Sequence, residues 1–413
     1  MSSILTGVSG MQATQRAVDV IANNIANLNT VAFKAGRVTF EETLVQTLSG
    51  GSLNGTNPLQ IGTGTAVSSI DTIMTPGNKQ PTGRTLDLAI DGSGFFVVQN
   101  GIDRSFTRDG VFQLDGQNNL VMASNGMRVQ GWTKNIATGG WEANSDPQVD
   151  PPGTLRIPLG TSYAVPTSKA TFSGNLDAAT LSTDTQPPAT TFTFYDSLGT
   201  AHTLSMQFAK TATSNEWTCT VTGSTGVNIS SPATSVPITF NENGQTSTVV
   251  PVSITLANGA SPQNINLDLT MVSQLTKVNE NDTSVVQATT QDGLPMGTLQ
   301  SFSIDADGFI TGSYSNGASR VLGQLAVARF TNPAGLSRSG SNLYTASPNS
   351  GDPVVQPPTS GGGTICSGYL ESSNVDLATE LSNLIVTQRG FQANSKSITT
   401  SDEMMQDILQ LKR

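Results

Sequence analysis

The two ends of this chain carry a pattern that nothing between them repeats. From Ser3 to about Leu28, Ile4, Val8, Met11, Val18, Ala22 and Ile25 recur at alternating steps of four and three, with Gln15 in the remaining slot. Near the other end Leu377, Leu381, Leu384, Gln388, Phe391, Ser395, Ile398, Asp402, Met405 and Leu409 keep the same alternation. Neither stretch contains proline, and the C-terminal one holds a single interior glycine, Gly390. That spacing keeps one stripe of a helix against a partner, as in a coiled coil. It predicts an N-terminal helix and a second helix from Asp376 to Gln410, capped by Asn374 or Asp376. Two such helices meet only if the chain between them leaves and returns, so the fold must be nested.

The interior reads as β-structure. Leu86, Leu88 and Ile90 alternate with Asp87, Ala89 and Asp91, and Asp109-Gly110, Asp115-Gly116 and Asp307-Gly308 are turn dipeptides. Phe192 and Phe194, a turn at Asp196-Ser197-Leu198-Gly199, then Leu204, Met206 and Phe208 spell a hairpin, and Trp217, Cys219 and Val221 continue it as a third strand. Pro, Gly and Ser concentrate at Ser49–Gly64, Asp146–Gly153 and Asp352–Thr364. The fold class expected is therefore mainly β with α-helical termini. A coiled-coil helix spans 1–30, an extended linker 31–84 and the first part of an inner β-domain 85–149. An inserted β-domain covers 150–285, the second part of the inner domain 286–364, and the closing helix 365–413.

Composition narrows the function. Charged residues are 12% of the chain, about half the ~25% of an ordinary soluble domain. The net charge of −10 and the absence of Lys/Arg clusters argue against nucleic acid and anionic membranes. A single histidine, His202, removes most metal centres and histidine bases. The two cysteines, Cys219 and Cys366, are too few for a disulfide scaffold. No cleavable signal peptide and no run of ~18 apolar residues is visible. Asp305-Ala306-Asp307-Gly308 lacks the further ligands of a calcium loop and reads as a turn. Gly92-Ser93-Gly94 precedes no Lys-Ser/Thr pair and is no phosphate cradle. No catalytic, cofactor-binding or metal-binding residue is assigned, and the chain is expected not to be an enzyme. A β-fold glycosidase would need facing carboxylates in an aromatic-lined cleft, and an adhesin would leave the heptad ends unexplained.

The segment IANNIANLNTVAFK at Ile21–Lys34 resembles the N-terminal signature of the bacterial flagellar axial proteins, the rod and hook subunits, through Asn23, Asn24, Ile25, Ala26, Asn27, Thr30, Phe33 and Lys34. Ala32 stands where that family commonly has glycine. The stretches Thr85–Val98, Phe106–Val121 and Gly368–Leu411 also resemble the family, and Thr191–Lys210 and Val321–Tyr344 resemble its hook members rather than its shorter rod members. The resemblance implies a homopolymer of many copies forming a curved tube that passes torque from rod to filament. Its partners would be the distal rod protein, the hook cap protein and the hook–filament junction protein. It implies export by the flagellar type III apparatus without a cleaved signal, a place outside the cell in the hook on the basal body, and no membrane insertion. The assembly interface is expected at Ile4, Val8, Met11, Val18, Ala22, Ile25, Leu377, Leu381, Leu384, Phe391, Ile398, Met405 and Leu409. A distal rod subunit is the alternative reading.

Overall fold

The computed structural model describes residues 2–49, 59–135, 140–141, 151–232, 235–276 and 284–411. It is mainly β-structure, with one helix at each end: α1, Ser2–Ala26, and α2, Leu377–Leu411. Asp376 is the cap of α2. Its Oδ1 accepts the Ala378 N–H at 3.0 Å and its Oδ2 the Thr379 hydroxyl at 3.0 Å, which satisfies a helix-end donor that would otherwise lack a partner. Asn374, the other cap candidate, is used elsewhere. The helices run antiparallel. A Cβ placed on Gly7 would lie 2.8 Å from Ile398 Cγ1, one on Gly10 2.7 Å from Asn394 Nδ2, and one on Gly390 3.8 Å from Thr14 Cγ2.

The expected linker over 31–84 is extended but paired. Gly36–Glu42 lies antiparallel to Thr65–Thr72, and Val45–Ser49 to Leu59–Gly62. The ribbon leans on α1, where Ser9 Oγ accepts the Thr65 N–H at 3.3 Å. Its strands are rich in Thr, Ser and Glu and mostly half-buried or exposed; Val38 and Phe40 alternate with Arg37, Thr39 and Glu41, but the run is too short to stand out, and Thr65–Thr72 does not continue it cleanly. Most of the Ser49–Gly64 loop assignment lies outside the described residues.

The next unit is assembled from both halves of the chain. Its largest sheet orders Leu294–Ile304, Phe309–Tyr314, Ser319–Leu325, Arg128–Thr133, Phe95–Asn100 and Asp103–Thr107 side by side. Leu88, Phe96, Phe112, Leu120 and Val129 pack there against Ile310, Leu322, Leu325 and Ile365. Gly92-Ser93-Gly94 passes against the Gly362-Gly363 backbone, with Gly94 N–H donating to Gly362 O at 2.8 Å. A Cβ on Gly92 would come within 2.7 Å of Gly363 Cα, so these glycines serve close packing. Asp305 caps its own turn, accepting the N–H groups of Asp307 and Phe309 at 3.1 and 2.8 Å.

The insertion is a sandwich. A five-stranded sheet orders Val227–Ser231, Val249–Leu256, Gln263–Leu275, Lys169–Asp177 and Val285–Gln291, and a four-stranded sheet Ala189–Tyr195, Ala201–Lys210, Glu216–Gly223 and Ser235–Thr239. The hairpin pairs Phe192 with Leu204 and Phe194 with His202, and the third strand sets Cys219 opposite Phe208. Phe172, Phe194, Leu204, Phe208 and Trp217 are fully buried in one core, at about 1.5–3 kcal/mol each for the larger aliphatic and aromatic side chains. Both cysteines are free, and burial pushes the Cys219 thiol up to about 12.

The strand pairings move the expected boundaries of the insertion. Leu155 and Ile157 belong to the first core, while Val285–Gln291 pairs with Lys169–Asp177 in the sandwich. The sandwich therefore runs from about 169 to 291 rather than 150 to 285. The Pro-rich boundary at Asp146–Gly153 falls largely outside the described residues. The closing segment 365–413 is also not all helix, since Thr364–Ser367 and Tyr369–Glu371 are strands.

Candidate assembly interface

The seam between the helices is not the one the heptads predict. On α1 the buried positions are Gly7, Gly10, Ala13, Ala17, Ile21 and Asn24. On α2 the side facing α1 carries Glu380, Leu384, Thr387, Gly390, Asn394 and Ile398, all half-buried. Small residues let the two backbones approach, so the larger apolar residues are turned aside. Of the expected interface, Ile4, Val8, Met11, Val18 and Ile25 are half-buried and Ala22 is exposed. Leu384 and Ile398 face α1. Leu377, Leu381, Phe391, Met405 and Leu409 are exposed, and so are Ile385, Val386, Met404 and Ile408, which the spacing did not single out.

The signature residues form the joint where α1 meets the β-units. Asn27 Nδ2 donates to Asn23 O at 2.9 Å and its Oδ1 accepts from the Thr30 hydroxyl at 3.1 Å, folding the chain back as α1 ends. Asn24, 2% exposed, works as a clamp. Its amide donates to Gly36 O at 2.9 Å and Glu380 Oε1 at 3.2 Å, and its Oδ1 accepts the Gly36 N–H at 2.9 Å. One side chain thereby ties α1, the ribbon and α2. Burial pushes the Glu380 carboxyl up. Ile25 and Ala26 sit in the last turn of α1. Phe33 packs with Ala35 and Val375 under the guanidinium of Arg338, 5.4 Å from the ring centroid.

Lys34 ends in a buried ionic cluster. Its ammonium pairs with Glu371 Oε1 and donates to Thr75 O at 2.8 Å. Glu371 Oε2 accepts Arg108 Nη1 at 3.2 Å, and its Oε1 the Gly77 N–H at 2.9 Å. The three charged side chains are only 1–2% exposed. Burial pulls the Lys34 ammonium and the Arg108 guanidinium below their ordinary values against the attraction of Glu371. Asn374 completes the joint, accepting the Ala35 N–H at 2.8 Å and donating to Ile73 O at 2.8 Å. Sequence reasoning found Asn24, Phe33 and Lys34 and named Asn374 only as a helix cap, and it missed Arg108, Glu371 and Glu380, their partners from distant segments.

No group of three or more potential metal ligands occurs among the described residues, and no described helix is long and apolar enough to cross a membrane. His202 bonds Asp196 at 2.9 Å through Nε2, and Asp196 also accepts Asn258 Nδ2 at 2.6 Å, which ties the two sheets of the sandwich. A groove of about 380 Å³ lies at the joint end of the helix pair, bounded by α1, α2 and the ribbon.

Four family descriptions match along the chain in order. "Flagella basal body rod protein" matches residues 4–34, "Flagellar hook protein FlgE/F/G D1 domain" 89–166, "Flagellar basal body protein FlaE D2 domain" 163–294, and "Flagellar basal body rod FlgEFG protein C-terminal" 367–411. The chain is 37% identical to the flagellar hook protein FlgE of Treponema pallidum, over 100% of both chains. It is 30% identical to the flagellar basal-body rod protein FlgG of Bacillus subtilis, also over 100% of both. Among solved structures, Helicobacter pylori flagellar hook protein FlgE2 aligns with a TM-score of 0.47 at 15% identity, covering 71% of this chain and 100% of that one.

Proposed function

We propose how the chain works from one premise: it belongs to the flagellar hook protein family and is a structural subunit of the hook. The observation that carries the mechanism is the uncovered face of α2. Leu377, Leu381 and Ile385, four residues apart, stand 41–52% exposed along it. Burying apolar surface is worth about 25 cal/mol per Å², so this face favours association with other copies. The stripe of α1 that holds Ile4, Val8, Met11, Val18 and Ile25 is left free by the small-residue seam and joins Leu377, Leu381, Phe391, Met405 and Leu409 in contacts between subunits. Contacts repeated without closure build an open helical polymer, and lateral contacts close its wall into a tube.

In this reading the helix pairs form the permanent inner wall and the polar, charge-poor β-units meet outside it. Wet interfaces with few locking charge pairs let the outer units slide as the tube bends, which suits a universal joint passing torque from rod to filament. The subunit leaves the cell through the flagellar type III apparatus. It grows beneath a cap protein, stands on the distal rod protein and ends at the junction proteins. The rod reading has one observation in its favour, the full-length match to the Bacillus subtilis rod protein. It predicts straight tubes where the hook reading predicts curved ones.

Electron microscopy of the concentrated protein tests both. Wild type forms curved tubes, and the Leu381→Asp/Ile385→Asp variant stays unassembled while the sandwich melts as in wild type. Tubes of normal yield from the variant would show that this face is not the interface.

A further inference from the structure

The sandwich hangs from the first β-unit, the one assembled from both halves of the chain, by two segments. Residues 166–168 lead out of Ser162–Val165, and residues 292–293 lead back into Leu294–Ile304. A two-segment crossing between folded units is by default a hinge. This one is bracketed on both sides. On the sandwich side the buried Thr167 donates its N–H to Tyr195 O at 2.9 Å, and its hydroxyl accepts the Tyr195 N–H at 2.9 Å and donates to Gln291 Oε1 at 3.0 Å. On the other side one amide, Asn316 Nδ2, donates to Tyr163 O at 3.2 Å and to Pro295 O at 2.7 Å. The same side chain thus holds the outgoing and the returning strand.

A third contact spans the crossing. The turn at 196–199 belongs to the sandwich hairpin, yet it reaches past the crossing to the strands of the first β-unit. Gly199, at a φ of 80°, lies so close that a Cβ on it would come within 2.7 Å of Met296 N and 3.0 Å of Ala164 Cβ. The turn itself is stiff. Asp196, its side chain wholly buried, accepts the N–H groups of Leu198 and Thr200 at 2.9 and 2.8 Å on Oδ1 and the Asn258 amide at 2.6 Å on Oδ2. Ser197 Oγ accepts the Ser261 N–H at 3.0 Å. A loose turn would follow the neck through any angle, but one pinned from both sheets of the sandwich does not. We propose that this turn is a stop, holding the sandwich at one angle to the first β-unit. The load of bending then falls first on the contacts between copies and only afterwards on the neck.

The stop is a property of the single subunit, whereas its consequence for the tube rests on the polymer reading above, and the test separates the two. In a Cys366→Ala background, where the remaining Cys219 is buried, the exposed Ile102 of the first β-unit and the exposed Met271 of the sandwich are replaced by cysteine and carry nitroxide labels. Pulsed electron spin resonance of the monomer gives one narrow distance. Gly199→Asn keeps a residue that tolerates the left-handed backbone but adds a Cβ where Met296 stands. It spreads that distance into a broad distribution while the sandwich, followed by Trp217 fluorescence, still melts cooperatively. Asn316→Ala broadens it from the other side of the crossing. A broad distribution in the labelled parent, or a narrow one kept by both variants, overturns the stop. In micrographs, tubes of Gly199→Asn show a shorter persistence length than wild type, and an equal one overturns the part of the stop in bending. If wild type forms no tubes, the polymer reading fails and the label distances still decide the stop.

Discussion

Ala32 is the residue where resemblance and physics meet most directly. Its φ of 57° is left-handed, and it is buried at the joint with its N–H donating to Glu371 O at 2.7 Å. A side chain in that region costs about 1–2 kcal/mol that glycine does not incur. Ala32→Gly should therefore stabilise the joint by about 1 kcal/mol after the greater unfolded-state freedom of glycine is subtracted, read as a higher melting temperature. Glu371 is the opposite case. Replacing it with Gln leaves Lys34 and Arg108 buried without their counter-charge, which costs about 3–5 kcal/mol, and thermal melting should show the loss. Asp109 makes stability respond to pH. Burial, with the neighbouring Asp87 adding to it, pushes its carboxyl up. The folded chain then holds this proton more tightly than the unfolded chain. The contribution grows as pH falls from above the folded value towards the ordinary 3.8 and shrinks as pH rises. Asp109→Asn should flatten that mild-acid slope in a pH series of melts. None of these partnerships is visible in the one-dimensional pattern, since Lys34 and Glu371 stand 337 residues apart.

At the scale of elements, periodicity disclosed that both helices exist and where α2 begins, but not how they face. Counting large apolar residues picked the stripe through Val8, Met11 and Val18, whereas the close seam is made by Gly7, Gly10 and Ala13. Small side chains carry little hydrophobic signal yet decide how near two backbones come. Gly7→Val tests the seam: its side chain would meet Ile398 where even a Cβ comes within 2.8 Å. Overpacking of that kind costs about 1–3 kcal/mol, and circular dichroism should show loss of helix before the sandwich unfolds. The sandwich hairpin was legible because Phe192, Phe194, Leu204, Met206 and Phe208 alternate cleanly with polar residues. The pair Gly36–Glu42 and Thr65–Thr72 was not, because its apolar face is only four side chains, Val38, Phe40, Val67 and Ile70, brought together by pairing across a register shift.

For the whole molecule, nesting explains why pieces read separately make one object. Ser162–Val165 leaves the first β-unit paired with Leu294–Ile304, which returns to it. Beside them Asp292 accepts the N–H groups of Ser168 and Lys169 at 2.8 and 2.9 Å. Because exit and return lie side by side, removing 169–291 and closing the gap with a short linker should leave the first core folded. The shortened subunit should still form tubes, of altered curvature, measured from micrographs. The central claim is that the helix pairs build the inner wall and the sandwich rides outside. A helical reconstruction of the assembled polymer tests it most directly. The account predicts α1 and α2 lining a central channel, the uncovered face of α2 against neighbouring helices and the sandwich at the largest radius. Helices on the outer surface, or a channel walled by β-sheet, would contradict it.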